Sequence, residues 1–232
     1  MIMNREIWEI TLSKKYKKNK SPNIDLMEAM LNQIPAYGWS WKALYEGSNT
    51  IRGFERLNET KLQRLFENNI SNIIQLFNER LDQDMINLFD KNINEELGMT
   101  QKVRQLILFR LYASKDYKEI IKSSLYFMGR PINSYSAIEQ LFTTCDRIWT
   151  TAGDDSKGST FFSKRFILGG VYSTTLGYWI SSANRSNEQT EKFLDKRLED
   201  VRNLGKVSKS SYEYLDKVKT NLFNIVGKKY NG

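Results

Sequence analysis

Apolar residues recur along most of this chain every three or four positions, the spacing of one helical face. Met27, Met30, Leu31 and Ile34 do so behind Asp25, which can cap the helix. Pro35 and Gly38 close it, and SWKALYEGS makes a short second helix ending near Gly47. Asn58 or Thr60 can cap a longer helix carrying Leu62, Leu65, Phe66, Ile70, Ile73 and Ile74, a pattern that continues with breaks to Phe89. KNINEELGMT reads as a loop. Further helices are predicted from about Gln101 to Ala113 and from Asp116 to Met128. GRPINS then interrupts, because Pro131 lacks an N–H and restricts Arg130 before it. Ser134 or Ser136 can cap the next helix, which runs to about Ala152. No alternating strand pattern of useful length occurs, and no internal repeat. The predicted fold class is all-α.

Two segments stand apart. FILGGVYSTTLGYWISSAN, from Phe166 to Asn184, contains no charged residue and is long enough to cross a bilayer. Its glycines, serines and threonines make it too polar for that, so a helix packed on most faces, in a bundle or a dimer interface, is expected. Beyond RNLGKVSKSS, a linker, the C-terminal stretch places Tyr214, Leu215, Val218, Leu222, Ile225 and Val226 on one helical stripe, with Phe223 at its edge. Lys219 and Lys229 sit on or beside the stripe, where their stems can snorkel. A basic amphipathic helix after a linker fits an interfacial membrane helix or one that docks on a partner. A terminal helix packed on its own domain is the alternative.

Composition narrows the chemistry. With 40% hydrophobic and 27% charged residues the chain has the make-up of a globular protein. Its formal charge of +8 is confined to the ends. Residues 1–21 hold six basic residues against Glu6 and Glu9, and residues 206–232 hold six lysines against Glu213 and Asp216. The segment between them is neutral, so anionic partners would meet the ends. Glu6 and Glu9 also argue against a mitochondrial transit peptide in the basic N-terminal arm. There is no histidine, which removes His-based triads, His metal ligands and a His general base together. Cys145 is the one cysteine, so no disulfide can form within the chain. The composition thus favours a protein that is not an enzyme and carries no cofactor.

CDRIWTTAGDDS, residues 145–156, concentrates the remaining candidates. Ile138, Leu141, Phe142, Cys145, Ile148, Trp149 and Ala152 fall on one helical face, which by pattern makes Trp149 a core residue. Gly153 fits the residue just past a helix end, and Asp154 and Asp155 fit turn or capping positions. A carboxylate metal site there would need further ligands that the sequence does not nominate.

LMEAMLNQIPAYGWSWKALYEG resembles the first two helices of TetR-type DNA-binding domains. The stretch that follows, SNTIRGFERLNETK, offers no convincing recognition helix, and residues 26–65 carry only one surplus positive charge. A DNA-reading face should concentrate positive charge. A TetR-like transcriptional regulator therefore remains the alternative function; it would bind duplex DNA in a salt-sensitive way through Arg52 and Arg56.

Taken together, CDRIWTTAGDDS, FFSKRFILGGVYSTT and FLDKRLEDV, with the upstream LNQIPAYGWSWKALYEG and FMGRPINSYSAIEQL in the same order and spacing, resemble the accessory lipid-binding protein family of ubiquinone (coenzyme Q) biosynthesis. The resemblance covers roughly residues 25–203 and is most specific over 131–201. It implies an all-α, TetR-like helical bundle that forms a homodimer, with DNA binding lost from a degenerate helix-turn-helix region. It divides the chain into a basic arm (1–23), that degenerate region (24–66), a lipid-binding bundle (67–203) and a linker with a membrane-binding helix (204–232). The implied cargo is an isoprenoid lipid or quinone intermediate, presented to the di-iron demethoxyubiquinone hydroxylase. The implied location is the membrane surface, on the cytoplasmic face of a bacterial inner membrane or the matrix side of the mitochondrial one. Tyr214, Leu215, Val218, Lys219, Leu222, Phe223, Ile225, Val226 and Lys229 would form the membrane contact. Asp146 and Trp149 match the family's Asp-x-x-Trp patch that faces the hydroxylase. This chain departs from the pattern at Arg147, where a second acid is usual, and at Thr150, where an aromatic often stands. Candidate cavity residues are Leu108, Leu125, Phe127, Met128, Ile167, Leu168, Val171, Tyr172 and Trp179, with ordinary core packing the alternative for each.

Overall fold

A computed structural model describes residues 21–54, 57–92 and 96–204. These residues are helical throughout, with short turns and no strand among them. The helix expected over Tyr214 to Lys229 and all but the last residues of the basic arm lie outside the described residues. The chain divides into two compact units between Leu76 and Phe77.

In the first unit, α1 (Pro22–Leu31) starts three residues before the expected cap. Ser21 is its N-cap in extended backbone and Pro22 takes the first helical position, where its missing N–H would have had no intrahelical partner. Asp25 lies in the first turn. A single turn, α2 (Ile34–Tyr37), stops at Gly38 with φ 62°. Ser40 then caps α3 (Trp41–Ser48) by accepting from the Ala43 N–H at 3.2 Å. Leu26, Met27, Met30, Ala43 and Leu44 are fully buried, and α3 crosses α1 closely at Gly47. Asn58 caps α4 (Glu59–Leu65), accepting from Lys61 N–H at 2.9 Å. The single long helix expected from here does not form. Glu67 and Asn68 adopt φ of 55° and 56°, and the Asn68 N–H closes back on Gln63 O at 2.9 Å. Asparagine tolerates this left-handed backbone better than most residues, and Asn69 restarts the chain by accepting from Ser71 N–H.

The helix α5 (Ile70–Lys91) carries the chain into the second unit. There follow α6 (Met99–Ala113), a 3₁₀ turn (Lys115–Tyr117), α7 (Lys118–Met128), a second 3₁₀ turn (Pro131–Asn133), α8 (Ser134–Ala152), α9 (Gly158–Ile180) and α10 (Asn187–Leu204). The residue before α8 is Asn133, whose side chain donates to Phe127 O rather than capping the helix; neither expected serine serves as its cap. Helices α6, α8 and α10 all pack on α9.

A buried polar network fastens this unit. Arg110 on α6 donates to Asp82 on α5 at 2.6 Å and to the Tyr172 hydroxyl on α9. Thr144 on α8 reaches the same Asp82, and Arg147 approaches it at 3.4 Å. Asp82 and Arg110 are almost wholly enclosed, so each needs the other to offset its lost hydration. The uncharged part of α9, from Phe166 onward, is less enclosed within this chain than expected. Leu168, Val171, Tyr172, Leu176 and Trp179 are buried, while Phe166, Gly170, Ser173, Thr174 and Gly177 face outward. No helix among the described residues is long and apolar enough to cross a membrane.

Candidate functional site

The end of α8 forms as its sequence suggests. Gly153 takes φ 97°, its N–H bonds to Thr150 O at 3.0 Å, and the Asp154 N–H bonds to Trp149 O at 2.9 Å. These two bonds satisfy two of the last four carbonyls of the helix and turn the chain toward α9. Asp154 then binds side chains of this protein: Lys164 at 2.6 Å on one oxygen, Arg165 at 2.7 Å and Ser156 at 2.6 Å on the other. Arg165 also donates to Asp146 at 2.8 Å. Both acids are thus used in fixing α9 against the end of α8.

That clamp positions Trp149. Its indole N–H donates to Lys164 O at 3.1 Å, and the Lys164 ammonium lies 5.2 Å from the ring centre. The side chain is half-buried, between the core place its spacing predicts and the exposed place the resemblance implies. It forms part of a half-open pocket of about 500 Å³ among α6, α8, α9 and α10. Trp149, Ile167, Leu168, Val171, Leu198 and Val201 give the pocket an apolar lining. Arg104, Asp195, Glu199 and Arg202 add charge to it, with Arg104 held by Asp195 at 3.0 Å and by Glu191 at 3.2 Å. A volume of this size, mostly apolar with a few polar groups, suits a small amphipathic molecule or part of a larger one.

The structure brings together only some of the anticipated residues. Ile167, Leu168 and Val171 share the pocket with Trp149. Asp146 stands nearby in sequence but is paired with Arg165, and Arg147 turns to Asp82 and Glu79 O. Leu108, Met128, Tyr172 and Trp179 are buried outside the pocket lining. Tyr172 spends its hydroxyl on Arg110, and Trp179 lies under the Lys118 ammonium at 4.7 Å. Phe127 is half-buried beneath Arg130, and Leu125 is exposed. Missed were Val103 and Arg104 on α6, where Leu108 had been expected instead, and the whole contribution of α10, through Leu198 and Val201. Leu194, Leu198 and Val201 stand four and three apart, and that spacing was the available signal.

Cys145 supplies no nucleophile. Its thiol is fully buried, and burial, reinforced by Asp82, pushes its pKa far above the ordinary thiol value. Among the described residues, no cluster of acids and cysteine is arranged to hold a metal ion.

Comparison with known proteins bears on the same part of the chain. A family model matches residues 135–205, which take in α8, α9 and α10. The family is COQ9. Longer alignments point the same way: the chain is 26% identical over 200 residues to the Xenopus laevis ubiquinone biosynthesis protein COQ9-A, mitochondrial, and 24% identical over 200 residues to the human ubiquinone biosynthesis protein COQ9, mitochondrial. These alignments cover 83% and 84% of this chain. A probable COQ9 protein of Dictyostelium discoideum is 23% identical over 184 residues, or 77% of the chain. The chain spans 62% of the length of the frog and human relatives. The COQ9 match includes Trp149 and every pocket residue contributed by α8, α9 and α10.

Proposed function

We propose that this protein serves ubiquinone biosynthesis as an accessory protein, holding an isoprenoid quinone intermediate in the Trp149 pocket and presenting it at a membrane to the demethoxyubiquinone hydroxylase. The observation that carries the reading is the meeting of Trp149 with Ile167, Leu168 and Val171 in one pocket, inside the region that matches COQ9. An aromatic plane beside aliphatic side chains suits a quinone ring followed by isoprene units. The charged groups beside it suit the polar substituents of such a ring.

Physical need supports the same reading. Each buried CH₂ is worth about 0.8 kcal/mol, so a polyprenyl tail stays in lipid and its head group must be met there. A carrier for that task requires an apolar recess, a membrane contact and a docking face, and requires no histidine. The basic amphipathic stretch from Tyr214 to Lys229 is the proposed membrane contact. The outward face of α9 from Phe166 to Gly177, without charge, is the proposed homodimer contact. The relatives are named as mitochondrial, which favours the matrix side of the mitochondrial inner membrane over a bacterial membrane. In this reading the hydroxylase docks beside Trp149, and its iron centre, not this chain, supplies the oxidation chemistry.

Quinones quench indole fluorescence on contact, which provides the test. Titration with a short-chain ubiquinone should quench the protein saturably, and Trp149→Phe should remove most of the saturable part. Ile167→Asp places a charge on the apolar lining and should weaken binding at least about tenfold. Equal quenching of the Ile167→Asp variant and the parent would refute the pocket assignment.

A further inference from the structure

The corner between α7 and α8 has a surface that neither the pocket nor the polar network explains. Four large apolar or aromatic side chains are exposed within eleven residues: Leu125 at 42%, Tyr126 at 72%, Ile132 at 88% and Tyr135 at 54%. None of them lines the pocket. The corner is also well fixed. The Gly129 N–H closes on Leu125 O at 2.8 Å, the Asn133 N–H on Arg130 O at 2.9 Å, and the Asn133 side chain on Phe127 O at 2.7 Å. Pro131 opens the 3₁₀ turn that carries Ile132 outward. The isoleucine is therefore held in solvent by a braced turn, against its own preference for burial.

Charge indicates what covers it. From Ile120 to Ile138 there is no acidic residue, while Lys122 and Arg130 lie within the stretch. Lys118 and Lys122 are one turn apart on α7, and Tyr126 follows one turn later on the same side. Ile121, Ser124 and Met128 take the buried side of that helix. Arg130 lies exposed with its guanidinium 5.1 Å from the Phe127 ring centre. An apolar tip with two tyrosines and two cations, whose nearest acids in sequence are the flanking Glu119 and Glu139, matches the interface of an anionic bilayer. Tyrosine favours the headgroup level, aliphatic side chains the region beneath it, and cations the lipid phosphates.

We propose that the α7–α8 corner is a second membrane contact, which inserts Leu125, Tyr126, Ile132 and Tyr135 into the interface of an anionic bilayer while Lys122 and Arg130 meet lipid phosphates. It is independent of the contact assigned to Tyr214–Lys229. With both, the protein would rest on the bilayer at two places and keep one orientation to it.

Because Cys145 is fully buried, the full chain carrying Ile132→Cys can be labelled at the corner alone with a polarity-sensitive dye. Mixed with phosphatidylcholine vesicles containing phosphatidylglycerol, the dye should shift its emission to the blue and be quenched by lipids carrying an acyl-chain quencher. Added salt should weaken the effect. Tyr126→Ser with Ile132→Glu should lower vesicle partition of the full chain at least about tenfold, with an unchanged thermal melt. If the protein sediments with vesicles while the dye stays in water, this proposal falls and the C-terminal contact stands. If the double variant partitions like the parent, it falls as well. If the full chain ignores the vesicles, both membrane contacts fall. A blue shift without vesicles that grows with protein concentration assigns the corner to a second copy of the chain, and also overturns the proposal.

Discussion

Asp154 has a side chain only 1% exposed, and both its oxygens accept hydrogen bonds from side chains of the following turn and helix. Burial by itself would raise its carboxyl, but the bonds from Lys164, Ser156 and Arg165 outweigh that and hold it well below the usual carboxylate range. A depressed folded-state value stabilises the fold fully above the unfolded value of about 3.9. That contribution is lost as the pH falls from there toward the folded value. Asp154→Asn is therefore expected to lower the urea-unfolding free energy by about 3 kcal/mol at neutral pH. Below about pH 4 the difference from the parent should shrink. A variant as stable as the parent at neutral pH would show the clamp to be idle. The turn role of Asp154 was legible from Gly153 and the dipeptide after it. Its ion partners were not, because Lys164 and Arg165 meet it only after α9 folds back. Trp149 was ambiguous for a related reason: spacing assigns a helical face, and the neighbouring helices determine whether that face meets core or a recess.

At the scale of elements, the crossing of α1 and α3 depends on one missing side chain. A Cβ on Gly47 would stand 2.8 Å from Ala29 C and Met30 N, and these are backbone atoms that cannot move aside alone. Gly47→Ala should destabilise by about 1–3 kcal/mol, despite alanine's better helix propensity, and a Tm at or above the parent's would contradict so close a crossing. Most helices were legible from periodicity, with ends that moved by a few residues. The start of α1 was misplaced because Asp25 was preferred to Ser21 and Pro22, a pair that marks a helix start equally well. The break between α4 and α5 was hidden because apolar spacing continues across it; only the Glu67–Asn69 stretch signalled the left-handed turn. For α9 the absence of charge from Phe166 onward suggested enclosure on most faces. One face is instead exposed and built from small and hydroxyl-bearing residues, for which hydropathy gives no clear direction.

At the scale of the molecule, the all-helical character and the resemblance to a ubiquinone-biosynthesis family were both readable from the chain, since they rest on long-range pattern and on motifs of several residues. The pocket was only partly readable, because its lining comes from four helices that lie far apart in sequence; on α6 the residue singled out was Leu108, and α10 was not considered for it. The central claim is that this pocket holds an isoprenoid quinone or its precursor. The most direct measurement is mass spectrometry of organic extracts from the full chain, purified from cells that make isoprenoid quinones, beside its Ile167→Asp variant. The account predicts an isoprenoid quinone or precursor with the parent protein and little or none with the variant. No isoprenoid with either protein, or the same amount with both, would contradict it.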